Sequence, residues 1–240
     1  MTNTNLHKAA TRGHAAHGWL DSYHSFSFAN YYNPERTQFG VLRVLNDDIV
    51  AGGKGFGSHP HDNMEIISIP LEGSLVHEDN MGHKEVVSAG EIQVMSTGSG
   101  VFHSEYNNSP DKPVKFLQIW LFPNKLNVTP RYDQVKIGKG ENSLQQLISP
   151  HMSEEGSWIY QDAWFFSGRF DADKEFTYER KKEGNGVYLF VIKGSFVADG
   201  QTLESRDGLG ITGGSTIKLR SLSPESEILI MDVPMENKIN

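Results

Sequence analysis

The sequence predicts an all-β protein built from two tandem barrels, and three observations predict it. Short apolar runs are punctuated by Gly, Pro, Asn and Asp, with glycine alone contributing 24 of 240 residues. Such bounded runs read as strands, and their regular spacing reads as a sandwich or barrel. Apolar periodicity of the helical kind is scarce. The two halves also repeat the same order of strand and turn phrases.

Taken in order, Trp19 to Pro34 (WLDSYHSFSFANYYNP) is aromatic-rich and alternating, and reads as a strand packed on a barrel. Ile66 to Leu71, Phe116 to Phe122, Val187 to Ile192 and Ile228 to Val233 are apolar runs of strand length. Gly140 to His151 (GENSLQQLISPH) has helix-like spacing and is expected to form a short helix. Ile69-Pro70-Leu71-Glu72-Gly73-Ser74-Leu75-Val76 is echoed by Val191-Ile192-Lys193-Gly194-Ser195-Phe196-Val197. Ala89-Gly90-Glu91-Ile92 has a counterpart in Asp207-Gly208-Leu209-Gly210, and Leu117 to Pro123 in Ile228 to Pro234. Three matches in the same order point to a duplicated barrel. The join falls between Pro123 and Ser157, where Pro130 and the polar stretch Lys136 to Ser143 resemble a linker. The expected division is 1–130 and 131–240.

Lys and Arg total 22 against 30 Asp and Glu, a formal net charge of −8. An acidic chain without a basic run argues against nucleic acid or an anionic membrane as partner. Contact with another protein stays open. The absence of cysteine excludes disulfides, thiolate metal sites and a cysteine nucleophile, and fits a reducing compartment. Residues 1–24 lack the apolar core of a signal peptide, and no run approaches the ~18 apolar residues of a membrane span. A cytoplasmic protein is expected.

Chemistry concentrates in two phrases, His59-Pro60-His61 and His103-Ser104-Glu105. Each places two metal-ligating side chains at spacing two, and alternate residues of a strand share a face. Two such strands facing each other offer three imidazoles and a carboxylate to one cation. Neutral imidazole and carboxylate suit borderline first-row metals, with a position left for water, oxygen or substrate. Gly53, Gly55 and Gly57 precede the first pair, and Gly98 and Gly100 the second. Scattered surface histidines are the bland alternative in a chain with 10 of them. Paired phrases, each after a glycine cluster and before an apolar run, make that alternative the weaker. Glu65, four residues after His61, has the strand parity to compete with Glu105 for the metal. His14, His17, His77, His83 and His151 read as solvated or hydrogen-bonded, whereas His24 sits on the aromatic segment that lines a pocket in one reading. No histidine follows His151. The offset of the Gly-Ser match carries His59 and His61 onto Arg180 and Lys182, so the second barrel is expected to hold no such metal.

These residues resemble a known family. His59-Pro60-His61, Asp62 to Glu65 and Leu71-Glu72-Gly73 look like the first cupin motif. Gly90, Ser96-Thr97-Gly98, His103 and Asn107 look like a variant of the second. Arg12-Gly13-His14, His24-Ser25-Phe26-Ser27-Phe28 and Gly100-Val101-Phe102-His103-Ser104-Glu105 resemble the pirins, nearest to bacterial pirin-like quercetinases. The likeness spans nearly the whole chain and is strongest from Arg12 to Pro130. Ser96 in place of the usual Pro, and the extra Gly-Ser before His103, depart from the general motif and bear on strand register.

The resemblance implies two tandem cupin barrels, the double-stranded β-helix or jelly-roll type, with metal in the first only. It implies His59, His61, His103 and Glu105 as ligands, moving Glu65 behind the ligands or to the pocket wall. One divalent transition metal is implied, Fe(II) first, with Cu, Ni, Co, Mn or Zn as alternatives. The implied activity is a quercetin 2,3-dioxygenase, opening the flavonol ring with O2 and releasing carbon monoxide. Glu105 is its candidate general base, and Phe26, Phe28 and Phe56 are candidates for the pocket lining. The alternatives are a non-enzymatic metal-binding regulator of a protein partner, and a cupin oxygenase for another phenolic.

Overall fold

The computed structural model describes residues 2–138 and 140–239. Twenty-two strands and one 3-10 turn, Ala9–Thr11, make up its regular structure. In chain order the strands are β1 (Asn3–His7), β2 (Gly13–Ala16), β3 (Leu20–His24), β4 (Leu42–Val50), β5 (Gly55–His61), β6 (Glu65–Glu72), β7 (Ser74–Asp79), β8 (Lys84–Ser88), β9 (Glu91–Ser96), β10 (Val101–Asn107), β11 (Val114–Leu121) and β12 (Arg131–Lys136). There follow β13 (Ser143–Ser149), β14 (Ser157–Trp158), β15 (Trp164–Phe170), β16 (Glu175–Glu179), β17 (Asn185–Lys193), β18 (Phe196–Ala198), β19 (Gln201–Leu203), β20 (Gly208–Thr212), β21 (Thr216–Ser221) and β22 (Ser226–Pro234).

The strands sort into two compact units. One holds Gly13–Ile137, Ile159–Gln161 and residues 237–239; the other holds residues 2–12, Gly138–Trp158 and Asp162–Glu236. Each is a seven-stranded sheet with a four-stranded one. The first unit has the orders β12-β9-β6-β11-β4-β3-β2 and β5-β10-β7-β8. The second has β1-β20-β17-β22-β15-β13-β14 and β16-β21-β18-β19. The units therefore part at different residues from the 130/131 division read from the sequence. β12 hydrogen-bonds β9 and stays with the first barrel, whereas β1 caps the edge of β20 in the second. Pairing across such distances leaves no local signal.

Equivalent strands occupy equivalent places in the two units. β11 lies between β6 and β4, as β22 lies between β17 and β15. The turn after β6 holds Gly73 at φ +80°, and the turn after β17 holds Gly194 at φ +74°, where a side chain would be strained. The four apolar runs all form strands: β6, β11, β17 and β22.

Gly140 to His151 forms no helix. Its Ser143–Ser149 stretch is β13, antiparallel to β15, with a shift of register between Gln146 and Ile148. That irregularity offsets the two-residue period, so Leu144, Leu147 and Ile148 take helix-like spacing within a strand. The interior of the second barrel is filled by apolar side chains, among them Phe166, Leu189, Val191, Ile211, Ile228 and Ile230. Arg180 and Lys182 are turned to other work there. Arg180 donates to the Gly213 carbonyl, and Lys182 pairs with Asp162.

Candidate metal centre

The centre forms where β5 meets β10 in the first unit. The two strands are antiparallel, with His59 opposite His103 and His61 opposite Val101. Along β10 the buried residues are Val101, His103, Glu105 and Asn107, alternating with Phe102, Ser104 and Tyr106 outside. The alternation expected from spacing two therefore places His103 and Glu105 on the inner face. Between His103 and Glu105 the register slips, so that Glu105 faces Phe56. A side chain at Gly55 would bring its Cβ to 2.3 Å from the Glu105 carbonyl oxygen, so the close approach of these strands needs glycine there.

The ligand atoms of His59, His61 and His103 all lie within 4.8 Å of one another. Their ring centroids are 4.5–5.0 Å apart. His59 Nδ1 lies 2.7 Å from the Gly57 carbonyl, which can only accept, so its proton sits on Nδ1 and its Nε2 offers a lone pair. His103 Nε2 is buried with no hydrogen-bond partner among the described residues. Burial, together with neighbouring His103 and His59, pushes His61 down to about 4. Burial, His59 and His77 push His103 down to about 3. Both rings are neutral at pH 7, the form in which imidazole binds a metal. Trp120 stands edge-on to His61 at 4.8 Å and fixes that side of the centre.

Glu105 stands beside His103 and His77, held in a cradle of amides and a hydroxyl. Ser68 Oγ donates to its Oε1 at 2.9 Å and Gln93 Nε2 at 3.2 Å, while Gln118 Nε2 donates to Oε2 at 2.7 Å. A carboxylate has about four acceptor positions. Ser68 has one proton to give and also lies 3.0 Å from Gln118 Oε1, so two or three positions are taken here, and Oε2 keeps one open. The cradle belongs to a buried polar row crossing five neighbouring strands: His24, Asn46, Gln118, Ser68 and Gln93 stand opposite one another on β3, β4, β11, β6 and β9. Glu105, His103 and His77 form a second group whose ligand atoms lie within 4.8 Å. Both clusters able to hold a metal among the described residues belong to this unit.

A cavity of about 310 Å³ opens onto the cluster. His59, His61 and Glu105 line it, with Phe28, Phe56 and Trp120 as its aromatic walls. Ser22, His24, Asn46 and Asp48 are polar members of its lining. Ser22 Oγ donates to Asp48 and lies 2.9 Å from His24 Nε2. Burial pushes Asp48 up to about 7, against the Ser22 hydrogen bond and with help from Asp47 and Glu105. The carboxyl is thus near its midpoint at neutral pH.

Some expected residues fall elsewhere. Glu65 is on β6, a separate strand entered through a turn in which Asn63 has φ +46°. Strand parity from His61 does not survive that turn. Glu65 and Ser68 are three apart and point to opposite faces of β6, and Ser68 holds the Glu105 side. Glu65 accepts from Ser96 Oγ at 2.7 Å, and burial pushes it up to about 7. Phe26 is in the core, away from the cavity lining that Phe28 and Phe56 share. His77, read from the sequence as an ordinary polar histidine near a turn, is fully buried. His17 and His24 line the cavity, whereas His14 and His151 pair with Asp21 and Glu154 at exposed positions. Asp48, Gln93 and Gln118 gave no signal in the sequence, because only cross-strand pairing brings them to Glu105.

Among the described residues, no helix is long and apolar enough to cross a membrane. The family model described as Pirin matches residues 5–121, and that described as Quercetinase C-terminal cupin domain matches residues 146–233. The chain is 42% identical over 229 residues to the quercetin 2,3-dioxygenase of Escherichia coli strain K12, covering 95% of this chain and 98% of that protein. It is 37% identical over 223 residues to a pirin-like protein of Caulobacter vibrioides, covering 92% and 95%. The crystal structure of the bacterial pirin YhhW from E. coli in complex with nickel(II) superposes with a TM-score of 0.92 at 40% identity, covering 97% of this chain and 99% of that one.

Proposed function

The chain belongs to the pirin family, and on that premise we propose that it is a metal-dependent dioxygenase that opens a flavonol-type phenolic with O2 and releases carbon monoxide. One observation carries the reading: imidazole lone pairs converge within 4.8 Å at the edge of an aromatic cavity. His59, His61, His103 and Glu105 would hold one divalent metal. The donor set is the borderline nitrogen and oxygen kind that first-row metals prefer, and the unpartnered His103 Nε2 fits a cation better than it fits an apolar core. Fe(II) is our first choice, with Cu, Ni, Co, Mn and Zn as competitors; the E. coli relative was solved with nickel(II). When bound, the metal supplies a Lewis acid that lowers the pKa of the substrate hydroxyl.

The side chains of the chain do the rest. Phe28, Phe56 and Trp120 bind the planar rings, and about 310 Å³ lies near the lower end of small-molecule sites, ~300–1,000 Å³, which suits one compact aromatic molecule. Glu105 takes the hydroxyl proton as general base. Gln118, Gln93 and Ser68 keep that carboxylate aimed while it does so. Asp48, in the cavity lining, is available to bond a second substrate oxygen. Both atoms of O2 enter the opened product and one ring carbon leaves as CO.

Aerobic incubation of the metal-loaded protein with quercetin tests this. CO is expected in proportion to substrate lost. Absence of CO with every divalent metal tried would sink the proposal.

A further inference from the structure

Behind His103, on the side away from the cavity, lies a second buried layer. His77 Nδ1 is 3.5 Å from His103 Nδ1. His77 Nε2 is 2.9 Å from Asp79 Oδ2. The side chains of His77 and Asp79 are both fully buried. Asp79 is held in turn, since its Oδ1 accepts from the Met81 and His83 backbone amides at 2.9 and 3.1 Å, and its Oδ2 lies 2.9 Å from His83 Nδ1. Tyr132 stacks on both His77 and His83, at 4.7 and 4.8 Å, and fixes the plane of each ring.

With both imidazoles neutral, one arrangement of protons satisfies this chain. A carboxylate accepts, so His77 carries its proton on Nε2. Its Nδ1 then offers a lone pair to His103 Nδ1, which must donate. That puts the His103 proton on Nδ1 and leaves the lone pair on Nε2, the buried atom without a partner among the described residues. We propose that His77, oriented by Asp79, is a positioning residue that fixes His103 in the tautomer and ring orientation a metal requires. The proposal rests on the metal-site reading above. Buried partners of this kind typically change metal affinity by about 10–100-fold when removed.

Imidazole 15N spectra of the metal-free full-length chain read the tautomers directly. His103 is expected to be protonated on Nδ1 and His77 on Nε2. Co(II) titration, followed through its visible absorption, reads the consequence. His77→Phe keeps the stacking on Tyr132 but removes the acceptor, and is expected to raise the Co(II) Kd by about 10–100-fold and shift the absorption band. His77→Gln, with an oxygen to accept from His103 and an amide to donate to Asp79, is expected to recover both. A His103 proton on Nε2, or His77→Phe binding Co(II) as tightly as wild type with an unchanged spectrum, overturns the proposal alone. A wild-type chain that takes up no Co(II) overturns the metal reading and the proposal with it. Should His77→Phe fail to fold, the wild-type tautomers decide.

Discussion

Glu105 is the residue whose surroundings say most about the centre. Three donors fix its carboxylate, and hydrogen bonds to a charged group contribute about 1.5–3 kcal/mol each. Replacing Gln118 with Leu removes the 2.7 Å bond to Oε2 and leaves that oxygen without its donor. We predict that Gln118→Leu weakens metal binding by about 10-fold or more while the circular dichroism of the β-structure is unchanged; isothermal titration with Ni(II) checks it. His61→Ala removes a candidate ligand from the histidine cluster. It is expected to abolish stoichiometric metal in elemental analysis and still give a folded protein, its melting temperature reduced by the lost stabilisation from bound metal. The spacing of His59 and His61, and of His103 and Glu105, made each pair legible as candidates, because a two-residue period is local to each strand. The cradle was not legible: Ser68, Gln93 and Gln118 meet Glu105 only through the pairing of β6, β9 and β11.

Two strands, β5 and β10, carry all four candidate ligands, so the centre depends on their register. Gly55 sits where β5 passes closest to Glu105. Gly55→Val forces the strands apart and is predicted to cost both metal binding and about 2 kcal/mol or more of stability, read by urea unfolding of the metal-free chain. β6 gives a pH test independent of the cavity. Glu65 is buried there with a value raised to about 7, above its unfolded value. Its contribution to stability is fully present below about pH 4 and is lost as pH rises through about 7. Glu65→Gln keeps an acceptor for Ser96 and has no charge to bury. Without metal, the variant should match wild type near pH 4 and exceed it at pH 8 by on the order of 2 kcal/mol. The turn between β5 and β6 explains why parity counted from His61 misplaced Glu65: strand periodicity ends where the chain leaves the strand. The register irregularity in β13 misled in the opposite sense, giving a strand the apolar spacing of a helix.

At the scale of the molecule, a duplicated barrel has kept its strand order and divided its contents. One copy surrounds a polar row, a histidine cluster and a cavity; the other is packed with aliphatic and aromatic side chains. The repeat was visible in the Gly-Ser turns and the strands that flank them, because turn chemistry is local. The unit boundaries were not, since β1 and β12 are assigned by partners far away in sequence. Leu189→Ala in the second core should cost about 2–5 kcal/mol on unfolding yet leave metal stoichiometry unchanged, as differential scanning calorimetry beside elemental analysis would show. The centre itself is tested most directly by anomalous diffraction from crystals loaded with Ni(II). One strong peak per chain, within bonding distance of His59, His61, His103 and Glu105, is the predicted result. A peak bonded to other residues, or none at full loading, would contradict the account.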